Sequence, residues 1–205
     1  MDQSEPTGEP GTPTPPATPP PTTGWSAPPP PVQAGPAGFV YADVPNRAIA
    51  YIIDAIIVGI VTAIITGVFG SGVTFTAAGA FEINYVTLLI AAVISAAINA
   101  AYFIYTWTSM RGTLGMKALG MQIGNAGDGK TLTIDQGVRR WLALAAPGFL
   151  AQILIVIPAV GALVGLLALG WFIYLLWTTY SSPTKQGFHD KFANTMVVKA
   201  ARSAG

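Results

Sequence analysis

About 40 consecutive residues without a charged side chain, 141–180, constrain this chain more than any other feature. One helix of that length would be about 60 Å long, twice the roughly 30 Å thickness of the hydrocarbon layer in a bilayer. A break is therefore expected, and Pro158 and Gly161 provide it, because proline removes a helical hydrogen bond and glycine relaxes the backbone. The run predicts two membrane spans, at about 141–157 and 162–180.

Two earlier apolar stretches, at about 45–69 and 85–108, are also long enough to cross a bilayer. Charged residues make up only 9% of the 205-residue chain, against about 25% in ordinary soluble domains. So few charges cannot cover the surface of a soluble fold of this size. We therefore predict an all-α membrane protein with four transmembrane helices, whose first partner is the lipid bilayer.

Basic residues lie unevenly along the chain, and their distribution predicts its orientation. The segment between the second and third spans carries five of them, the part after residue 180 carries four, and the loop between the first two spans carries none. Basic segments next to spans favour the cytoplasmic side. Two such segments on one side require an even number of crossings between them. We expect a multi-pass protein of the cell (plasma) membrane with both termini in the cytoplasm.

Residues 1–38 are dominated by Pro, Thr and Gly. Such a segment cannot bury enough apolar surface to offset its conformational entropy, so we predict a disordered proline-rich tail before a transmembrane domain at 39–200. Residues 201–205 are a short C-terminal tail. The first 46 residues contain no Lys or Arg, so we expect no cleavable signal peptide. The proline-rich tail is interpreted as a solvated tether or as a docking arm for a protein partner.

The polar segment after the second span has a local pattern of its own. Residues 121–134 read as two short strands around a Gly/Asp turn, which predicts a small cytoplasmic hairpin or interfacial helix element. Thr133 or Asp135 is expected to cap the helix that follows.

Two ionisable residues, Arg47 and Asp54, interrupt the first apolar span. Arg47 lies near the cytoplasmic edge, but a carboxylate as deep as Asp54 costs several kcal/mol unless it is paired, solvated or protonated. Asn99 is placed at about the same depth in the antiparallel second span, so we predict that Asp54 faces it, with Tyr51 or Tyr102 adding a hydroxyl. The residues fit a proton or cation site and a structural hydrogen-bond clamp equally well.

Several classes of site are excluded by composition. The chain has no cysteine and a single histidine, His189, so we expect no metal site and no cofactor. His189 and Asp190 are adjacent, and adjacent side chains rarely point at one target. We find no nucleophile–base pair and no phosphate-binding loop. We therefore expect neither an enzyme nor a nucleic-acid-binding protein.

Three separated segments, 46–58, 111–140 and 187–198, together resemble the RDD family of small membrane proteins, named for one arginine and two aspartates. Arg47 and Asp54 match the arginine and the aspartate of its first helix. Asp190 matches the later aspartate, which follows His189 and precedes a small-residue turn and a Thr-x-Val-Val strand-like end.

This chain departs from the family pattern at two places. Asn194 stands where the family often has glycine, and Met116 separates Gly115 from Lys117. The resemblance covers residues 40–200, and proline-rich N-terminal segments are familiar among actinobacterial members. It implies a fold, because the family has no settled biochemical function.

We consider two functions. In the first, the protein is a homo-oligomeric transporter of small ions or solutes, similar to a cation/proton antiporter. Asp54 binds the proton or cation, Arg47 and Asp190 gate it, and Gly161 and Gly165 form a helix contact face.

In the second, the protein is a non-transporting scaffold. Its proline-rich tail and basic cytoplasmic face recruit a protein partner or anionic lipid. The buried charged residues then only stabilise the fold.

Overall fold

The computed structural model describes residues 39–70, 72–154 and 157–200. The predicted tails at 1–38 and 201–205 lie outside the described residues. The helices are α1 Val44–Phe69, α2 Tyr85–Ser109, α3 Leu114–Ala118, α4 Ile134–Leu154, α5 Pro158–Ser181 and α6 Phe188–Phe192. The strands are β1 Phe39–Tyr41, β2 Val73–Phe75, β3 Phe81–Ile83, β4 Met121–Asn125 and β5 Thr195–Ala200. The described chain is thus mostly helical, with short strands at the helix ends.

Three of the described helices are long and apolar enough to cross a membrane: α1, α2 and α5. Large apolar side chains cover their outer faces, and Ile64 and Leu166, for example, are 64% and 68% exposed. Such surfaces need lipid rather than water around them, which makes this a membrane protein. The helix α4 carries Asp135, Arg139 and Arg140 in its first two turns. Its apolar part is therefore shorter than those of α1, α2 and α5.

The N-terminal ends of these helices follow from local sequence. Pro45 lies in the first turn of α1, where its fixed φ suits a helix and its missing N–H costs nothing. Asn84 caps α2 by accepting a hydrogen bond from the Thr87 N–H at 3.0 Å. Thr133 caps α4, because its hydroxyl accepts from the Gln136 N–H while the Gln136 side chain accepts from the Thr133 N–H. Of the two predicted caps for α4, Thr133 is the one used.

The strand pairing differs from the predicted local hairpin. Strand β4 supplies its first half, but the second half has no strand: residues 130–133 are irregular, and Ile134 begins α4. The Asn125 N–H bonds to the Lys130 carbonyl and so ends the strand there. Instead, β5 lies between β1 and β4, antiparallel to both. Burial explains this choice, since Met121, Ile123 and Val197 are at most 1% exposed, and a local hairpin cannot cover them.

The sheet and the helix ends share one apolar core. It joins Ala50 of α1 and the aromatic residues Phe103 and Trp107 of α2 to Ile123 and Val197 of the sheet. This core therefore fixes the loop after α2 and the C-terminal strand against the same ends of α1 and α2. The β2–β3 hairpin connects the opposite ends of these two helices.

Asn194 explains one departure from the resembled family. It lies between α6 and β5 with a φ of +52°. This left-handed conformation favours glycine, and asparagine is among the few other residues that adopt it readily. The turn therefore keeps its shape without glycine.

Candidate functional site

Asp54 is held at the centre of a set of neutral hydrogen-bond donors. Its side chain lies in α1 and is 1% exposed. The Tyr102 hydroxyl and the Gly115 N–H donate to Oδ1 at 2.7 and 2.8 Å, and the Thr113 hydroxyl donates to Oδ2. An ionised carboxylate only accepts hydrogen bonds, so these three donors replace the water that the group would have outside the membrane.

The close approach of α3 to α1 makes this arrangement possible. A Cβ on Gly115 would lie 2.2 Å from the Ala50 carbonyl oxygen, so only glycine allows the contact. Thr113 is also the N-cap of α3 and accepts from the Met116 N–H at 3.2 Å. One short segment thus caps its own helix and binds the buried acid.

Asp54 faces the interior of the bundle as predicted, but Asn99 is not among its described hydrogen-bond partners. The side-chain amide oxygen of Asn99 accepts from the Trp141 ring N–H at 2.8 Å instead. The prediction compared depths along two antiparallel helices and did not include the segment after α2, which returns to α1. The other predicted donor, Tyr102, is confirmed. Tyr51 makes no described hydrogen bond to the acid and stacks on Phe103, with ring centroids 6.1 Å apart.

A second buried cluster centres on Asp190, at the start of α6. Its carboxylate, fully buried, contacts Arg47 of α1 at 2.7 Å and also Arg140 of α4. The Gly187 N–H donates to the same carboxylate at 3.0 Å. The cluster therefore ties α1, α4 and α6 together. The sequence indicated Arg47 and Asp190 as site residues and missed Arg140.

Arg140 had a signal that could have identified it. It is the last charge before the apolar run, and it shares a helical face with Gln136 and Ala143, which are also buried. Its guanidinium lies 5.2 Å from the centre of the Trp107 ring, a cation–π distance. Arg139, the neighbouring residue, is on the outside and pairs with Asp135.

The charges of this cluster are unequal. Burial alone raises the pKa of Asp190, but the charges of Arg140 and Arg47 outweigh it and hold that pKa below its usual range. Burial lowers the pKa of His189 to about 3, and both arginines act in the same direction. His189 is therefore neutral near pH 7, and two guanidinium groups face one carboxylate.

We predict that His189 makes the fold sensitive to acid. Below its ordinary pKa of roughly 6.5 the unfolded chain binds a proton that the folded chain refuses, so stability falls as the pH drops toward 3. From pH 7 to pH 5 the free energy of unfolding should fall by about 2 kcal/mol through this residue. Unfolding in detergent at both pH values measures it. The variant His189→Phe should lose most of that difference, and an equal difference in both proteins would contradict this role.

Both clusters border one cavity of about 260 Å³, which we call the inner cavity. Arg47, Asp54 and Arg140 contribute the charged part of its wall, and His189 lies beside them. Most of the rest is formed by apolar side chains of α1, α2 and α5, together with Met116, Leu144 and Val197. Within the residues that the structure describes, no group of three His, Cys, Asp or Glu side chains is placed to bind a metal ion.

Comparison with known proteins gives two matches. The RDD family model matches residues 41–194, a range that contains both clusters. The chain is also 34% identical over 142 residues to a Bacillus subtilis (strain 168) protein named "Uncharacterized protein YxaI", covering 64% of this chain and 90% of that protein. No solved structure matches.

Proposed function

This chain belongs to the RDD family, and we propose that it carries small solutes across the plasma membrane, coupled to a proton held at Asp54. The observation that carries the proposal is a row of cavities along α1. The alternative scaffold function depends on residues 1–38, which lie outside the described residues.

In the described part of the chain, three cavities follow one another along α1. The inner cavity is followed by two open clefts, which we call the middle cavity, of about 360 Å³, and the outer cavity, of about 850 Å³. Tyr51 and Phe103 belong to the walls of both the inner and the middle cavity, and Ala63 and Thr66 to those of both the middle and the outer one. The row runs from Val44 to Gly70, about 39 Å along a helix. It therefore has the length that a path across the hydrocarbon layer needs.

The wall of the middle cavity supports the same interpretation. It carries polar side chains that are costly inside a membrane helix unless they face water or each other. They come from all three surrounding helices: Thr62 of α1, Ser95 and Asn99 of α2, and Gln152 of α4. The stacked rings of Tyr51 and Phe103 separate this polar space from the inner cavity, so their movement would open the path.

The hydrogen bonds of Asp54 indicate which oxygen takes the proton. Oδ1 accepts from the Gly115 N–H, and a backbone N–H can only donate a hydrogen bond. Oδ2 accepts from the Thr113 hydroxyl, which can rotate and accept instead. Proton uptake at Oδ2 would therefore turn the Thr113 hydroxyl and replace charge-assisted hydrogen bonds with weaker neutral ones, which couples the proton to a change at the inner cavity.

We also propose that α4 is a fourth span and that both termini are cytoplasmic. Its first turns bond to the C-terminal region, where the Gln136 side chain donates to the Asn194 carbonyl. The last turns of α5 reach the same region, because the Phe188 N–H donates to the Thr178 hydroxyl. The helices α4 and α5 thus run to and from the opposite side. The basic residues cluster at the Asn194 end, which favours the cytoplasm for that end.

The proposed path predicts a block by a bulky residue where the middle and outer cavities meet. In liposomes that contain a pH-sensitive dye, the wild type should move protons when sodium, potassium or lithium chloride, or a sodium carboxylate, is added outside. Ala63→Trp should abolish this movement, because position 63 lies in the wall between the middle and outer cavities.

The matched control is Ile64→Trp, since Ile64 is 64% exposed toward lipid and should tolerate the larger ring. Proton movement by Ala63→Trp at the wild-type rate would show that solutes do not follow α1. No proton movement by the wild type with any of the salts would overturn the proposed function itself.

A further inference from the structure

We infer that the inner cavity binds a small organic carboxylate, with the carboxylate on the Nε–Nη2 edge of Arg140 and the apolar part among the aromatic rings of α1, α2 and α5. The inference deepens the proposed function by naming its substrate class. The binding site itself can be tested without any transport measurement.

The first argument is an unused edge of a buried guanidinium. Arg140 is 5% exposed, and its Nη1 donates to both Asp190 and Thr195. Its Nε is buried without a hydrogen-bond partner, and Nη2 donates to no described residue. These two nitrogens present parallel N–H groups that match the two oxygens of a carboxylate. A buried donor without a partner is destabilising, so a ligand that accepts from it gains affinity.

The second argument is a second unpaired nitrogen in the same wall. His189 lines the inner cavity, and its Nδ1 is buried without a hydrogen-bond partner. Its ring stays neutral, so one of its nitrogens carries a proton and the other can accept. Arg140 of α4 and His189 of α6 thus both line the inner cavity, and each has a buried nitrogen without a partner.

The charge of the wall favours an anion when Asp54 carries the proposed proton. Arg47 and Arg140 line the inner cavity as cations, Asp54 lines it as an acid, and Asp190 pairs with both arginines from behind. With Asp54 protonated, one positive charge is left over, and a ligand with one negative charge would balance it. Charge alone does not fix the ligand, because the apolar surface of the cavity is much larger than its polar surface.

The shape of the cavity selects an apolar body. Its walls include the rings of Tyr51, Phe103, Trp107 and Phe172, together with Leu175. An apolar cavity of roughly 150 Å³ holds benzene, so about 260 Å³ leaves space for a ring and a short carboxylate arm. Phenylacetate has this chemistry. A medium-chain fatty acid from the bilayer shares it and differs in having a flexible chain.

The test is equilibrium binding of radiolabelled phenylacetate to the full-length protein in phosphatidylcholine nanodiscs. Saturable binding is expected, and unlabelled phenylethanol, which has the ring without the carboxylate, should not compete. Octanoate tests the second possible ligand, a medium-chain fatty acid from the bilayer. Stronger competition by octanoate than by unlabelled phenylacetate would identify a fatty acid as the better ligand of the same site. Competition by phenylethanol equal to that by phenylacetate would overturn the inference.

Two variants locate the site. Arg140→Lys keeps a charge for Asp190 and removes the paired N–H edge, so affinity should fall by about tenfold or more. Ala48→Phe fills the cavity from α1 without replacing a charged residue and should abolish binding, whereas Ala97→Phe, on the exposed face of α2, should bind like the wild type.

Unchanged binding by both Arg140→Lys and Ala48→Phe would place the ligand elsewhere and end the inference. Failure here is distinguishable from failure of the proposed function. If phenylacetate and octanoate do not bind while alkali-metal chlorides still drive proton movement that Ala63→Trp blocks, the carrier proposal stands and the substrate class is wrong. If binding is found but no salt moves protons, the protein has the site and is not a proton-coupled carrier.

Discussion

Asp190→Asn is expected to lower the free energy of unfolding by about 3–5 kcal/mol, a large part of the roughly 5–15 kcal/mol by which a folded protein is stable. The reason lies in the two guanidinium groups that the carboxylate holds. Arg47 and Arg140 have side chains only 13% and 6% exposed, and Asp190 is fully buried between them. An amide of the same size cannot neutralise either charge, so two like charges would remain buried together.

The measurement is the unfolding midpoint of purified protein in a mild non-ionic detergent, followed by circular dichroism. Asp135→Asn is the control, since Asp135 pairs with Arg139 on an exposed surface, where a pair contributes about 0.5 kcal/mol. Adding Arg140→Gln to Asp190→Asn should restore part of the loss, because it removes one of the two unpaired charges. Equal midpoints for Asp190→Asn and Asp135→Asn would show that the cluster does not stabilise the fold.

The parts of this fold that sequence could predict are those that lipid imposes. A helix that crosses hydrocarbon needs length, apolarity and few charges. The helices α2 and α5 contain no charged residue, and α1 contains only Arg47 and Asp54. An ionisable residue within such a run stands out for the same reason. Arg47 and Asp54 could therefore be identified as special residues before any contact was known.

The partners of those residues depend on chain segments that return from far away in sequence. Thr113 is 59 positions from Asp54, and Arg140 is 50 positions from Asp190. From the sequence alone, Thr113 has the features of an ordinary helix cap, and Arg140 has those of an ordinary basic residue beside a membrane span. The pairing of β4 with β5 is of the same kind, because a strand with alternating burial does not specify its neighbour. The prediction for Asn99 used only its depth along the helix, and depth alone does not determine which side chains form a hydrogen bond.

Substitutions of Asp54 separate the two roles that the sequence left open, a structural clamp and a proton site. Asp54→Leu removes the acceptor for the Tyr102 and Thr113 hydroxyls and the Gly115 N–H. Each buried donor left without a partner costs about 1–3 kcal/mol, so this variant should be strongly destabilised under either role. It therefore measures the clamp and says nothing about transport.

Asp54→Asn is the informative variant. The amide oxygen can still accept from Tyr102 and Gly115, and the amide nitrogen can donate to a rotated Thr113 hydroxyl. The fold should thus remain within about 1 kcal/mol of the wild type. An amide cannot take up a proton at Oδ2, so proton movement in liposomes should be lost although the protein is intact.

Proton movement by Asp54→Asn and by the wild type has to be compared at equal amounts of folded protein. Size-exclusion chromatography of both proteins establishes these amounts. A stable Asp54→Asn protein that moves protons as fast as the wild type would mean that Asp54 is only a clamp, and proton coupling would then have to be sought elsewhere. A stable protein with no proton movement would assign the proton to Asp54, because the hydrogen bonds that hold α3 against α1 survive in this variant and the exchangeable proton does not.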